Sequence, residues 1–150
     1  RRKMALLFLG LDNLKSVNEH QGYPCGDALL RTIGGRLRSV IRESDTVARM
    51  SGDEFAVLLS EVRSPEAAKT VATKIQSVVR APIRLDDTNL CITASLGIGV
   101  FPEDADDAEG LLNYANTAMH MAKRRGPDTA IRCWSLIRED AALPESASEG

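Results

Sequence analysis

Two adjacent carboxylates, Asp53 and Glu54, lie within Ser51-Gly52-Asp53-Glu54-Phe55 and are the residues of this chain best suited to chemistry. Like charges this close repel unless a cation lies near them, and a divalent metal carrying phosphates is such a cation. Val47-Ala48-Arg49-Met50 before them and Phe55-Ala56-Val57-Leu58-Leu59 after them read as strands, the second with a nearly continuous apolar face. Ser-Gly between two such runs signals a β-hairpin, because glycine supplies the positive φ that hairpin turns use. The tip would hold both carboxylates on a rigid, exposed edge. A solvated acidic turn explains the pentapeptide alone equally well.

The elements around the hairpin follow from apolar periodicity. Met4 to Leu11 is unbroken apolar sequence, the mark of a buried strand with neighbours on both sides. Asp12 reads as a helix N-cap leading into Asn13-Leu14-Lys15-Ser16-Val17-Asn18. After the break Gly22-Tyr23-Pro24-Cys25-Gly26, the helical spacing of Leu29, Leu30, Ile33, Leu37, Val40 and Ile41 predicts a second helix ending near Arg42. Ser64-Pro65 opens a third helix, which Pro82 ends. Leu90 to Val100 alternates as a strand, with Ile92, Ala94, Leu96, Ile98 and Val100 on one side and Cys91, Thr93, Ser95, Gly97 and Gly99 on the other. Asp106-Asp107 starts a fourth helix that ends in Lys123-Arg124-Arg125, charges that suit the helix dipole. Ala130 to Trp134 reads as a last strand. This order predicts an α+β, ferredoxin-like fold, a mixed sheet covered by helices.

Bulk properties narrow the function. The 150 residues suffice for one core, and the net charge of −2 gives no basic field for tracking nucleic acid. Three Phe, two Tyr and one Trp are too few for a base-stacking platform. No apolar run reaches membrane-spanning length, and no signal peptide is recognisable. Cys25, Cys91 and Cys133 are far apart and the chain has two histidines, so a zinc site is not expected and a reducing cytoplasm fits best. The abrupt start at Arg1-Arg2-Lys3 suggests a piece of a longer protein. Residues 1–135 read as the domain; 136–150, rich in Glu, Asp, Ala, Ser and Pro, read as a linker or tail. If the first strand is central, its end meets the acidic hairpin at one sheet edge, a place for two-metal phosphoryl transfer. From the strand, only Asp12 is available for such a site.

Ser51-Gly52-Asp53-Glu54-Phe55 resembles the signature of GGDEF domains, the bacterial diguanylate cyclases and their relatives. Asp12 to Asn18, Gly22, Gly26-Asp27-Ala28-Leu29-Leu30, Arg42-Glu43-Ser44-Asp45, Thr93-Ala94-Ser95-Leu96-Gly97 and Ala122-Lys123 fall where that family has comparable motifs. The resemblance implies a palm-like nucleotidyl-cyclase fold and condensation of two GTP into cyclic di-GMP and two pyrophosphates, one GTP on each of two facing domains. It implies Asp53 and the backbone carbonyl of Leu11 as ligands of Mg²⁺ or Mn²⁺, and Glu54 as general base or second ligand. Asn18 and Asp27 would read guanine, Lys15 and Lys123 would hold the triphosphate, and Arg42 and Asp45 would form an inhibitory cyclic di-GMP site. Taken singly, Asn18 fits a helix end, Asp27 an N-cap of the second helix, Arg42 and Asp45 a solvated helix terminus, and Lys123 a basic helix end.

Three departures bear on the chemistry. Gly10 stands where the family carries a metal-binding Asp. Asp12, on the same face but one pleat (roughly 6–7 Å) further along, is the only substitute. Pro127 stands where a phosphate-contacting Arg is usual, and Asn116 where an Asp is usual. Ser51 replaces the first signature glycine, a mild change. Losing one preorganised electrostatic partner costs about 10²–10³ in rate, so two losses leave cyclase activity weak or absent. The expectation is therefore a degenerate module that senses GTP or cyclic di-GMP and regulates a neighbouring sensor or phosphodiesterase domain. A working cyclase and a purely structural dimerisation module are the alternatives.

Overall fold

The computed structural model describes residues 3–14, 19, 23–85 and 87–132. β1 (Lys3–Asp12) is followed by α1 (Tyr23–Ser39), β2 (Thr46–Ser51), β3 (Glu54–Val62) and α2 (Pro65–Arg80). Then come β4 (Ile83–Leu85), β5 (Thr88–Leu90), β6 (Thr93–Phe101), α3 (Ala108–Arg125) and β7 (Ala130–Arg132). Five strands form a sheet in the order β2-β3-β1-β6-β7, antiparallel except for the parallel β6–β7 pair. The α+β reading holds, and β1 is the central strand its unbroken apolar run predicts.

Side-chain alternation sends β1 into two cores. Leu7, Leu9 and Leu11 join Phe55, Val57, Leu59, Leu96 and Ile98 beneath α1 and α2, whose Ile33, Leu37, Ala72, Ile75 and Val79 are fully buried or nearly so. Leu6 and Phe8 point the other way and pack with Ala56, Leu111, Ala115 and Met119 under α3. Burying each such large side chain contributes about 1.5–3 kcal/mol. Where α3 crosses β6 its backbone lies against the sheet. A Cβ on Gly97 would sit 2.0 Å from the Ala115 carbonyl oxygen and 2.2 Å from the Met119 nitrogen, so only glycine fits there.

Several boundaries move. α1 begins at Tyr23 and ends at Ser39, so the Gly22–Gly26 break is partly the first turn of the helix, where a proline is tolerated. Asp27 is therefore an exposed residue within α1, which overturns its reading as an N-cap. The expected strand from Leu90 is split, because β5 pairs with β4 in a separate ribbon and the chain leaves that ribbon at Cys91-Ile92 to enter the main sheet. Ser64 caps α2, with its hydroxyl accepting from the Ala67 N–H at 3.2 Å, and Asp107 caps α3 through the Gly110 N–H at 2.7 Å. Most of the helix expected after Asp12 falls outside the described residues, as do Cys133 and Trp134 of the last strand. Among the described residues, no helix is long and apolar enough to cross a membrane.

Candidate functional site

The hairpin and the end of β1 meet as the strand order requires. Gly10 lies opposite Glu54 in the β1–β3 register, and the Leu11 N–H donates to the Asp53 carbonyl at 2.9 Å. The turn is Gly52-Asp53, with Ser51 paired to Glu54, one residue later than Ser-Gly suggests. Gly52 is not left-handed. The described residues with positive φ are Asn13 (67°), Asp128 (57°) and Gly126 (138°). An irregularity between Arg49 and Ser51 takes up the twist, and the Arg49 guanidinium donates to the carbonyls of Ser51 (3.3 Å) and Gly52 (3.1 Å). The Ser51 hydroxyl donates to Glu54 Oε1 at 2.8 Å, a bond that a glycine at this position could not make. Asp53 and Glu54 are both half-buried.

Asp12 is the last residue of β1, and its carboxylate is 8% exposed. Oδ2 accepts from the Thr93 hydroxyl (2.7 Å) and the Asp128 N–H (2.9 Å). Oδ1 accepts from the Ser95 hydroxyl (3.1 Å) and from Lys123 Nζ (3.2 Å). The same ammonium donates to the Leu11 carbonyl at 3.1 Å. Burial pushes the Asp12 carboxyl up, but the hydrogen bonds from Thr93, Asp128 and Lys123, with the lysine charge, hold it below its ordinary value. The sequence suggested a cap; the fold makes Asp12 the point where β1, β6, α3 and the α3–β7 turn are tied together. Thr93, Ser95 and Asp128 were not foreseen as partners. The polar residues alternating on the α3-facing side of β6 were the available signal.

The donors for a divalent cation can now be tested. Mg²⁺ asks for near-octahedral oxygen coordination. Gly10 has no side chain to offer, and both Asp12 oxygens and the Leu11 carbonyl are engaged by protein donors. Among the described residues, no three His, Cys, Asp or Glu side chains cluster closely enough to hold a metal ion. In this arrangement the residues do not fit a metal between β1 and the hairpin. Pro127 is exposed, and the Asn116 Oδ1 is buried with no partner among the described residues. Lys15 and Asn18, expected at phosphate and guanine, lie outside the described residues.

Arg42 and Asp45 lie in the loop between α1 and β2, away from the carboxylate hairpin at the other end of β2. The Asp45 side chain is 2% exposed, whereas that of Arg42 is 57% exposed. Asp45 accepts from Arg42 Nε (3.2 Å), from the Arg42 N–H (3.0 Å) and from the Ser60 N–H (3.0 Å). Arg42 also donates to the Glu61 carbonyl at 2.6 Å. Burial raises the Asp45 carboxyl, and the bonds from Arg42 and Ser60 outweigh it and bring it below the usual value. Two hollows of about 430 and 300 Å³ meet at this pair, one bordered by Arg38 and Glu43, the other by Arg63, Lys74 and Glu61. Sequence reasoning missed these neighbouring cations, which the fold brings in from α1, the β3–α2 turn and α2.

The family model "Diguanylate cyclase, GGDEF domain" matches residues 1–129. The diguanylate cyclase TpbB of Pseudomonas aeruginosa is 43% identical over 126 residues, covering 83% of this chain and 29% of TpbB. The cyclic di-GMP phosphodiesterase NbdA of the same species is 39% identical over 127 residues, covering 85% of this chain and 16% of NbdA. The chain thus spans less than a third of either relative. A crystal structure of the GGDEF domain of TpbB superposes with a TM-score of 0.86 at 40% identity, covering 88% of this chain and 83% of that one. With the family match, the curated relatives and the superposition in agreement, the chain belongs to the GGDEF domain family of the diguanylate cyclases.

Proposed function

We propose that this domain is a nucleotide-responsive module of a bacterial cyclic di-GMP signalling protein, binding GTP or cyclic di-GMP and regulating a neighbouring domain, with cyclase activity weak or lost. The observation that carries this reading is the contrast between two places in one fold. At Arg42, a fixed carboxylate holds a guanidinium that remains more than half exposed, beside hollows whose borders add Arg38, Arg63 and Lys74 along with Glu43 and Glu61. Such a group both hydrogen-bonds and stacks on guanine. At the end of β1, Gly10 brings no carboxylate and Pro127 brings no cation to a triphosphate. Recognition groups are kept better than catalytic ones, of which Asp53 and Glu54 remain. In this reading Mg²⁺ or Mn²⁺ comes with GTP on its phosphates and not on the end of β1, the domain sits in the cytoplasm, pairing of two domains is through their nucleotide faces, and residues 136–150 lead to the next domain.

Calorimetry with cyclic di-GMP tests the first half: Arg42→Ala is expected to weaken binding about tenfold or more, the loss of a charge-assisted, stacked contact. Absence of heat with the wild type would remove the cyclic di-GMP sensor. Incubation with GTP and Mg²⁺ or Mn²⁺, followed by chromatography, tests the second. Clear metal-dependent cyclic di-GMP formation would establish the rival reading of an active cyclase. That rival is favoured by one observation, the intact Asp53-Glu54 hairpin bonded to β1 at Leu11.

A further inference from the structure

Lys123 extends from the last turn of α3 to the end of β1 and places its ammonium on two oxygens, the Leu11 carbonyl at 3.1 Å and Asp12 Oδ1 at 3.2 Å. Gly10 makes room for it. A Cβ on residue 10 would lie 2.4 Å from Lys123 Cε, 3.2 Å from Nζ and 2.8 Å from Met119 Sδ. Any side chain there must push the lysine off the strand. The space and the oxygens at the end of β1 thus belong to an amine.

We infer that Lys123 is a tethered cation. Its ammonium takes the Leu11 carbonyl and the Asp12 carboxylate, the oxygens a divalent ion would need, and so keeps that ion from the end of β1. The occupied donors are one support, and the space vacated at Gly10 is another. Charge is a third: the nearly buried Asp12 carboxylate already has its countercharge in contact, and a dication added beside an ammonium is repelled. A simple ion pair pinning α3 to the sheet shares these contacts. The two roles part when the amine is removed, because only a tethered cation leaves a metal site behind.

The test uses Mn²⁺ alone, without nucleotide. Free Mn²⁺ is followed by electron paramagnetic resonance, and the Asp128 amide, which donates to Asp12 at 2.9 Å, is followed by NMR as a local reporter. In the wild type the Asp128 resonance is expected to stay sharp as Mn²⁺ is added. In Lys123→Met, which keeps the length and apolar stem of the side chain, Mn²⁺ binding is expected to tighten about tenfold or more, with Asp128 broadened first. Gly10→Ala, whose Cβ would lie 2.4 Å from Lys123 Cε, displaces the lysine without adding a ligand, and is expected to gain the same local broadening even if Lys123→Met does not fold. Broadening of Asp128 in the wild type at equal Mn²⁺, or a sharp Asp128 in the folded variants, overturns the assignment. Failure of cyclic di-GMP to bind at Arg42 leaves these outcomes unchanged, since no nucleotide is present.

Discussion

Gly10 and Gly52 flank the same site, and their surroundings differ sharply. At Gly10 an added methyl meets a lysine and a methionine, whereas at Gly52 it meets nothing within 4 Å. Gly52 is also outside the left-handed region, so neither space nor backbone conformation in the free protein demands glycine there. A glycine that the fold does not require, at a turn beside two carboxylates, suits close approach of a ligand to the backbone. Gly52→Ala is therefore expected to change unfolding free energy by no more than about 0.5 kcal/mol while weakening GTP binding. Chemical denaturation and calorimetry on the same preparation check both. Unimpaired GTP binding would remove the ligand as the reason for this glycine.

At the scale of elements, α3 and β6 are held at backbone contact by Gly97. Gly97→Ala drives a methyl into the Ala115 carbonyl and the Met119 nitrogen, which belong to the helix backbone and cannot swing aside. A loss of about 1–3 kcal/mol or more is expected from urea unfolding. Gly35→Ala is the matched control. It lies exposed within α1, a Cβ there meets nothing within 4 Å, and a gain of about 0.5–1 kcal/mol is expected. Equal effects of the two substitutions would show that the close approach of α3 is not what Gly97 secures. Much of this was legible beforehand. The unbroken run from Met4 to Leu11 announced the central strand, and Ser64-Pro65 and Asp107 announced their helices. Glycines at alternate positions of β6 were visible too, but not what they face. The Lys123 contact with Leu11 was not legible, because it spans 112 residues and depends on a side chain that is missing at Gly10. The β4–β5 ribbon was missed because three-residue strands carry too little periodicity to separate from a longer run.

For the molecule as a whole, acid is the simplest probe of these ties. The Asp12, Asp45 and Glu103 carboxyls are all held below their ordinary values by hydrogen bonds and cations, against an opposing effect of burial that is the largest single influence on the two aspartates. Each contributes stability that is fully present above its unfolded value, 3.8 for the aspartates and 4.5 for the glutamate, and is lost as pH falls through the lower folded value. The fold is thus expected to weaken below about pH 4. In Asp12→Asn, thermal melts should start from a lower midpoint at neutral pH and fall less steeply in acid. A variant with the wild-type acid slope would show that the Asp12 tie carries little of the pH dependence.

Gly97 has one more effect, at a distance. Met119 and Lys123 stand one helical turn apart on α3, so the height of the helix above β6 at Gly97 also sets how far the lysine must reach to Leu11. A glycine buried in the sheet thus works as a spacer for the amine. Raise the helix by the thickness of one methyl group, and the ammonium is lifted from its carbonyl without any change at the site itself.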